Sequence, residues 1–388
     1  MSFEESLLSK FVAIDTNSVD KKNYAKFAQV FSREANKLGF KVQRLDTKDN
    51  DGRLCPNFLL ELNAKPKAKE TVLLLAHFDV VPAGEGWKTP PFKLVKKKGV
   101  FFGRGVGDDK GAVAAALAAM HELNGRKLKR NVKLLVTCDE EIEAKHGAGF
   151  LAKKHLSKLK SDFCLVVDGD FKEITVGCSG VLSASIQLKG KQGHAGTPYR
   201  SPNVIHEAIP FLNELLEFKS LREKAVSKMN APKDAPRKKV WGRFSITILK
   251  AGYKSNVIPP SLEIGIDIRT LPEEKAAAVA GQFRRFTLKK MKRFCLKGKV
   301  KISWARGYFI NQKNRFAKEI QAAAEKITRK KMPLSATLGG IDGRFFSKAG
   351  IPAISVGPGG KGGHAPNESI TEKELLMTKQ LIKALVQE

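Results

Sequence analysis

The chain has 388 residues, 42% of them hydrophobic, so it is long enough for two hydrophobic cores and has an ordinary globular composition. Its 70 Lys and Arg against 39 Asp and Glu give a formal net charge of +31, which suits nucleic acid, an acidic protein or an anionic membrane as a partner. The basic residues are spread over helices and loops without a zinc finger or a recognition helix, which argues against a dedicated nucleic-acid-binding protein.

The cysteines and the first residues indicate a cytoplasmic protein. None of the five cysteines forms a C-x-x-C pair, and Cys138 and Cys164 lie in apolar, strand-like segments, as buried reduced thiols do. The first residues, MSFEESLLSKFVAI, carry acids where a signal peptide would carry basic residues, so they predict a helix of the fold. No segment is apolar over enough residues to cross a bilayer, so we expect no membrane association.

Helical and strand-like segments alternate over the first 180 residues. Two amphipathic helices are followed by the strands KVQRL, NFLLELN and TVLLLAHF, the helix GAVAAALAAMHEL, the strand VKLLVTC, the helix GAGFLAKKHL and the strand FCLVVD. This alternation predicts an α/β domain with a mixed, largely parallel sheet and helices on both faces.

Residues 181–309 follow a different pattern: a strand, a helix, two strands, a helix and a last strand, with an exposed basic link over residues 222–239. From about Asn311 the α/β pattern returns. The sequence therefore predicts a catalytic domain of residues 1–180 and 310–388, interrupted by an inserted α+β domain with a four-stranded sheet and two helices.

Polar residues cluster just beyond the predicted strands. They are His77 and Asp79, Asp108 and Asp109, Glu140 and Glu141, Asp168 and Asp170, and His364. Because open α/β sheets bind ligands at the carboxyl ends of their strands, we expect these side chains to converge on one crevice. One such residue alone is typical of a helix cap or a solvated turn, but five strand ends with the same bias indicate a shared site.

So many carboxylates in one crevice would repel each other unless a cation neutralises them. Histidine and carboxylate ligands without a thiolate suit zinc, with cobalt or manganese as substitutes, and one carboxylate can bridge two ions. Composition alone does not assign the individual ligands.

Five segments together resemble the motifs of a known enzyme family. LLLAHFDVVP, GRGVGDDKG, TCDEE, VVDGD and GGHAPNE are similar to the metal-binding motifs of the co-catalytic zinc metallopeptidases and amidohydrolases, in the same order and over nearly the whole chain. That family includes aminoacylase, acetylornithine deacetylase, succinyl-diaminopimelate desuccinylase, glutamate carboxypeptidase and the cytosolic dipeptidases. The resemblance implies an amide hydrolase with two zinc ions per chain, and a homodimer formed through an inserted dimerisation or lid domain.

The resemblance also implies five metal ligands. They are Asp108, which would bridge both ions, His77 and Asp168 for one ion, and Glu141 and His364 for the other. Within VVDGD, Asp170 is the alternative to Asp168, and Asp168 is preferred because it directly ends the apolar strand. Asp79 would orient His77 through its other ring nitrogen.

Catalytic and substrate-binding roles follow from the same resemblance. Glu140 would be the general base, and His194, in KGKQGHAGTPYR, would donate a hydrogen bond to the oxyanion. Asn256 and Arg269 would hold the substrate carboxylate, and Arg344, in LGGIDGRFF, is a further binding candidate. The alternatives are that His194 packs at a glycine turn and that Arg269 pairs on the sheet surface.

The expected substrate is a small N-acyl amino acid or a short peptide with a free carboxylate. GGIDGRFF favours a deacylase such as the desuccinylase or the deacetylase of amino-acid biosynthesis, and GVGDDKG is also similar to the dipeptidases; a carboxypeptidase is a further alternative. An alternative of another class is a basic binding protein for nucleic acid or an acidic carrier protein. The charge of +31 would also steer a substrate that is presented on such a carrier.

Overall fold

A computed structural model describes residues 1–66 and 68–388. Its helices are α1 (Phe3–Val12), α2 (Tyr24–Lys37), α3 (Lys110–Leu123), α4 (Ala148–Lys154), α5 (Leu156–Leu159), α6 (Val204–Lys224), α7 (Ala276–Arg293), α8 (Arg315–Thr328), α9 (Gly343–Lys348) and α10 (Glu372–Val386). Its strands are β1 (Gln43–Arg44), β2 (Thr47–Lys48), β3 (Leu54–Cys55), β4 (Phe58–Leu62), β5 (Glu70–His77), β6 (Val95–Lys97), β7 (Val100–Phe102), β8 (Arg130–Thr137), β9 (Phe163–Val166), β10 (Ile174–Cys178), β11 (Gly180–Lys189), β12 (Gly193–His194), β13 (Val226–Asn230), β14 (Lys239–Trp241), β15 (Arg243–Ala251), β16 (Val257–Ile258), β17 (Ser261–Thr270), β18 (Gly298–Ala305), β19 (Tyr308–Phe309), β20 (Leu334–Thr337), β21 (Ala353–Ser355) and β22 (Ser369–Thr371). None of the helices in the described residues is long and apolar enough for a membrane span.

The chain divides into two compact units. Unit 1 comprises residues 1–176, 310–334 and 341–388, and unit 2 comprises residues 177–309 and 335–340. The α/β class and the inserted α+β segment predicted from the sequence are confirmed.

The central strands of unit 1 are parallel. The strand order is β1-β4-β8-β5-β9-β21-β10, and β5 pairs in parallel with both β8 and β9, as β21 does with β9. Every residue of β5 from Val72 to His77 is buried, as expected of a strand that is covered on both faces. Because parallel strands end at the same edge, the residues that follow β5, β8, β9 and β21 meet there.

The opposite edge of this sheet is held by Arg130, at the start of β8. Its guanidinium donates to the two carboxylate oxygens of Glu319 on α8 at 2.6 and 2.7 Å, and to Glu70 Oε2 at the start of β5 at 2.8 Å. It also donates to the carbonyl oxygen of Leu385 on α10 at 2.7 Å. Charge-assisted bonds of this kind are the strong ones, so they fix the strands against the helices that cover them.

Helix α3 is buried and fixes the position of the glycine-rich turn that precedes it. Its residues from Lys110 to Met120 are all buried, because the alanine-rich sequence presents small side chains on every side and packs against α1, α10 and β5. Asp109 is the N-cap residue but makes no side-chain capping bond. Its Oδ2 instead accepts a hydrogen bond from the backbone N–H of His77 at 3.2 Å, which ties this turn to the end of β5.

Unit 2 has an antiparallel sheet of strand order β15-β17-β11-β18, with α6 and α7 packed on one face. The core between the layers contains Phe211, Phe283 and Ile266, all almost fully buried. The four strands and two helices predicted from the sequence are therefore present.

The link over residues 222–239, expected to be exposed, contains one strand of a hairpin. β13 and β14 pair antiparallel, and Ser227 and Met229 are buried. Ser227 Oγ also donates to Glu273 Oε2 at 2.8 Å. The surrounding lysines obscured this short alternation of inward and outward residues, because their charge resembles that of a solvated loop.

Candidate active site

The polar residues predicted at strand ends lie at one edge of the unit 1 sheet. His77 is the last residue of β5, and Glu140 and Glu141 follow β8 in a short 3-10 helix. Asp168 follows β9, and His364 lies in the loop between β21 and β22.

The carboxylate of Asp108 lies between two imidazoles. Its Oδ1 is 3.0 Å from His77 Nε2, and its Oδ2 is 3.2 Å from His364 Nε2. The His77 side chain is only 3% exposed, whereas that of His364 is 60% exposed. The cluster of His77, Asp108 and His364 therefore extends from the interior to the surface. A carboxylate that meets one imidazole with each oxygen has the arrangement of a bridging ligand.

Glu141 extends the cluster beside His364, with its own side chain almost fully buried. Its Oε2 is 3.0 Å from His364 Nε2, and Asp108, Glu141 and His364 each offer one atom within 4.8 Å of the others. One imidazole nitrogen and two carboxylate oxygens form a donor set that suits zinc.

Two buried atoms of the predicted metal ligands lack a hydrogen bond among the described residues: His77 Nε2 and Glu141 Oε1. His77 Nε2 is close to Asp108 but not aligned with it for a hydrogen bond. Buried polar atoms are normally satisfied, and a cation can satisfy the lone pairs that these two atoms leave unused. The residues present therefore fit a metal ion.

The charges of the site shift the pKa values of its histidines upward. Burial disfavours the charged form of His77, but Asp108, Asp79 and Asp109 together outweigh this effect and raise the pKa well above its usual value. Asp108 and Glu141 raise the pKa of His364 to about 10. Burial, and then the charge of Asp108, raise the pKa of Asp168 to about 6. These raised pKa values favour the protonated forms of His77 and His364 when no metal ion is bound. Binding of a metal ion would therefore release protons.

Asp79 contacts His77 in a different way from the one expected. The ring Nδ1 of His77 is 3.0 Å from the backbone carbonyl oxygen of Asp79 and 3.5 Å from its carboxylate. The carboxylate accepts hydrogen bonds from the backbone N–H groups of Glu140 and Glu141, both at 3.2 Å. Asp79 thus orients His77 mainly through its main chain and positions the Glu140–Glu141 turn through its side chain.

Glu140 is half-buried and interacts electrostatically with Asp342. Burial, and then the charge of Asp342, raise the pKa of Glu140 well above its usual value. Asp342 is 3% exposed, neither of its carboxylate oxygens has a hydrogen-bond partner among the described residues, and burial raises its pKa to about 7. A carboxyl group with a pKa near neutrality, such as that of Asp342, is suited to exchange protons. The sequence prediction missed Asp342, although it lies in the quoted segment GGIDGRFF.

Asp168 and Asp170 differ in their contacts, and the choice of Asp168 as a metal ligand stays a prediction. Asp170 accepts a hydrogen bond from the backbone N–H of Lys172 at 2.8 Å, and its other oxygen is 3.2 Å from Lys172 Nζ. Asp168 interacts electrostatically with Asp108 and His77.

A buried ion pair holds the backbone around Asp108. Glu368 accepts hydrogen bonds from the N–H groups of Gly105, Gly107 and Asp108 at 2.9, 2.8 and 3.1 Å, and it pairs with Arg104 at 2.8 Å. A Cβ at Gly107 would lie 2.2 Å from the carbonyl oxygen of Gly359, so only glycine allows these two loops to approach. Arg104 and Glu368 were missed, although each lies within a quoted motif; a charged residue in a glycine-rich segment was the available signal.

A second cluster of metal-ligand types already contains a cation. Cys55, Cys138 and Asp139 offer atoms within 4.8 Å of one another, and all three residues are buried. Lys21 Nζ lies 2.7 Å from Asp139 Oδ1 and 3.5 Å from Cys55 Sγ. The ammonium group of Lys21 thus neutralises this cluster.

In unit 2, one short β-bridge brings His194 and Asn256 together. His194 is exposed and pairs with Val257 in the β12–β16 ladder, and the backbone N–H of Ala195 donates to the carbonyl oxygen of Asn256 at 3.0 Å. The ring Nδ1 of His194 accepts a hydrogen bond from the N–H of Gly196 at 3.0 Å, which leaves Nε2 as the donor.

The two arginine candidates differ in their surroundings. Arg269 on β17 is half-exposed, and its Nε donates to Asp267 Oδ1 at 2.8 Å. Arg344, on α9 of unit 1, lies over the ring of Phe345 at 4.7 Å, and its buried Nε has no partner among the described residues.

The α/β fold and the cluster of histidines and carboxylates at its strand ends are those of a metal-dependent hydrolase. The chain belongs to peptidase family M20/M25/M40, whose profile matches residues 73–388. The family resemblance found in the sequence is thereby confirmed, and so is the class of metal-dependent hydrolase.

Solved structures share this fold. A metallo-carboxypeptidase of the M20 family from Sulfolobus solfataricus has a TM-score of 0.84 at 20% identity, covering 99% of this chain and 98% of that one. The di-peptidase Dug1p from Saccharomyces cerevisiae has a TM-score of 0.79 at 18% identity, covering 98% and 94%. A dinuclear metal-binding peptidase of the M20 family from Bacillus subtilis has a TM-score of 0.67 at 18% identity, covering 98% and 96%. At these identities the similarity concerns the fold.

Proposed function

We propose that the chain is a dinuclear zinc hydrolase that cleaves the amide bond of an N-acyl amino acid or of a short peptide with a free carboxylate. The observation that carries this proposal is Asp108, whose two oxygens lie 3.0 and 3.2 Å from two different imidazoles. The names of the similar structures, a carboxypeptidase and a di-peptidase, support peptide substrates. The segment GGIDGRFF supports a deacylase.

Five residues would hold two ions: Asp108 between them, His77 and Asp168 on one side, and Glu141 and His364 on the other. When bound, two zinc, cobalt or manganese ions would supply Lewis acidity and lower the pKa of water. The donor atoms are all nitrogen or oxygen, which suits these metals.

The remaining residues would handle the proton and the substrate. Glu140 takes a proton from the attacking water and returns it to the leaving amine, so no proton is gained or lost over the cycle. Asp79 holds the backbone of Glu140 and thereby the direction of its carboxylate. His194 would stabilise the negative oxygen of the transition state, and the substrate carboxylate would be held by Asn256, Arg269 and Arg344.

A substrate panel tests this proposal. N-acetyl and N-succinyl amino acids are compared with dipeptides, with zinc, cobalt and manganese supplied in turn. We expect hydrolysis of at least one class, and its identity separates deacylase from dipeptidase and carboxypeptidase. If no member of the panel is cleaved with any metal, the proposed substrate class is wrong.

Glu368→Gln is expected to weaken zinc binding about 10- to 100-fold, as loss of a partner outside the ligand shell typically does. The glutamine places an NH2 donor group against backbone N–H groups that require an acceptor, and it removes the charge that pairs with Arg104. Competition with a chelator measures the dissociation constant. Glu372→Gln, an exposed glutamate of the same segment, is the control and should bind zinc as the wild type does. If Glu368→Gln and Glu372→Gln bind zinc with the same affinity, Glu368 does not position the metal ligands.

The proposed homodimer would form through β15 and α6. β15 is the edge strand of the unit 2 sheet, where Ile248 and Leu249 are 49% and 58% exposed. Beside them a groove of about 380 Å³ is lined by Leu212 and Leu216 of α6. An edge strand with exposed apolar side chains is suited to add the same strand of a second copy.

Ile248→Lys is therefore expected to shift the protein from dimer to monomer in sedimentation experiments, because it places a charge in an apolar contact. Val226→Lys, at an exposed apolar position of β13, should leave the dimer intact. A wild-type protein that sediments as a monomer at micromolar concentration would contradict the dimer.

A further inference from the structure

Two arginines face each other across adjacent strands of unit 2. Arg243 on β15 is directly opposite Arg269 on β17. Their neighbours Phe244 and Ile268 point into the core under α6 and α7, so both arginines project from the other face of the sheet. Like charges directly opposite each other in an antiparallel pair are destabilising, so this arrangement calls for a compensating anion.

Only one of these two arginines forms an ion pair among the described residues, although the charge of Asp267 also acts on Arg243. Arg269 pairs with Asp267 at 2.8 Å, and nearby Arg222 pairs with Glu274 at 2.7 Å. Arg243 forms no ion pair with any carboxylate of the described residues. Its Nη2 donates only to neutral acceptors, the hydroxyl of Ser179 at 2.9 Å and the carbonyl oxygen of Leu338 at 2.8 Å.

One donor of Arg243 remains unused. Its Nη1 is buried and has no hydrogen-bond partner among the described residues, while the guanidinium lies over the ring of Trp241 at 5.4 Å. Burial, and then the charge of Arg269, lower the pKa of Arg243 to about 10, so the group is still charged at neutral pH. The guanidinium is thus held in place by Ser179, Leu338 and Trp241, with both N–H bonds of Nη1 free.

We propose that Arg243 and Arg269 form a two-guanidinium subsite that holds a carboxylate of the substrate, with Arg243 as a specificity-determining residue. The planar fork of a guanidinium matches a carboxylate, and one carboxylate supplies the single negative charge that this pair lacks. The inference rests on the proposed function for the substrate carboxylate, and it adds Arg243, which the sequence motifs did not indicate.

The test compares an N-acetyl amino acid with its neutral primary amide as substrates of the zinc-loaded enzyme. In Arg243→Gln, we expect kcat/KM for the carboxylate substrate to fall about 10- to 100-fold, the effect of losing a hydrogen bond to a charged group. The value for the amide should stay within about twofold, since the amide lacks the charge that Arg243 recognises. Arg243→Lys, which keeps the charge but not the fork, should lie between wild type and Arg243→Gln.

Arg237→Gln is the matched control, because Arg237 also lies over Trp241, at 5.1 Å, but is exposed. It should retain the wild-type preference for the carboxylate. Loss of activity on both substrates in equal proportion, or an unchanged preference in Arg243→Gln, would overturn the proposal. If circular dichroism shows that Arg243→Gln does not fold, Arg243→Lys takes its place. A ratio of kcat/KM for the carboxylate to kcat/KM for the amide that equals the wild-type ratio would then overturn the proposal.

A binding measurement separates this inference from the proposed function. Calorimetry with the N-acetyl amino acid reports affinity whether or not the amide is cleaved, and Arg243→Gln should weaken it by the same factor as kcat/KM. If the wild type binds the carboxylate more tightly than Arg243→Gln does but cleaves neither substrate, the proposed substrate class is refuted and the subsite is supported. Cleavage with no contribution from Arg243 to either measurement would refute the subsite alone.

Discussion

Glu140→Gln is expected to lower kcat by about 10²- to 10⁴-fold while the metal content stays that of the wild type. Glu140 lies in the turn that Asp79 holds by two backbone hydrogen bonds, and Gln preserves the shape of the side chain while removing its ability to accept a proton. Metal analysis and steady-state kinetics on the same preparation measure both quantities.

Glu143→Gln is the control for this variant, because Glu143 belongs to the same acidic segment but is exposed and pairs with Lys145. It should have the kcat of the wild type. If Glu140→Gln retains full activity, Glu140 is not the general base; if it loses metal as well as activity, its role is structural.

Asp108→Ala should abolish activity and release both ions, because the two oxygens of Asp108 serve both halves of the site. Asp168→Asn and His364→Ala should each weaken the binding of one ion more than that of the other, because each residue would be a ligand of only one of the two ions. Zinc titration of the metal-free protein, followed by calorimetry, resolves one or two binding steps.

Asp170→Asn is the control within the same segment, since the carboxylate of Asp170 is engaged with Lys172. It should bind two ions. A variant of Asp108 that still binds two ions with wild-type affinity would show that this carboxylate is not shared.

The fold and the chemistry of the metal cluster were predictable because their signals are local. Buried parallel strands have continuous apolar sequences, and the residues that follow them are bound to meet at one edge. The sequence alone therefore predicts that His77, Glu141 and Asp168 lie near each other. The motif order then indicated which of them to consider as ligands.

Contacts between distant segments were not predictable in this way. The carboxylate of Glu368 reaches Gly107 across 261 positions of the chain, and no local pattern reports such a contact. The role of Asp79 was also only partly anticipated, because its main-chain carbonyl, and not its carboxylate, makes the closer contact with His77. The opposition of Arg243 and Arg269 depends on strand register, which is specified by the whole sheet.

The central claim is that two ions held by this cluster make the protein an amide hydrolase. The most direct test is to remove all metal, add zinc back in steps, and measure bound zinc and hydrolysis of the best panel substrate at each step. We expect no activity without metal, activity that rises with occupancy, and saturation at two ions per chain. Undiminished hydrolysis by the metal-free protein, or saturation of activity and binding at a single ion, would contradict the account.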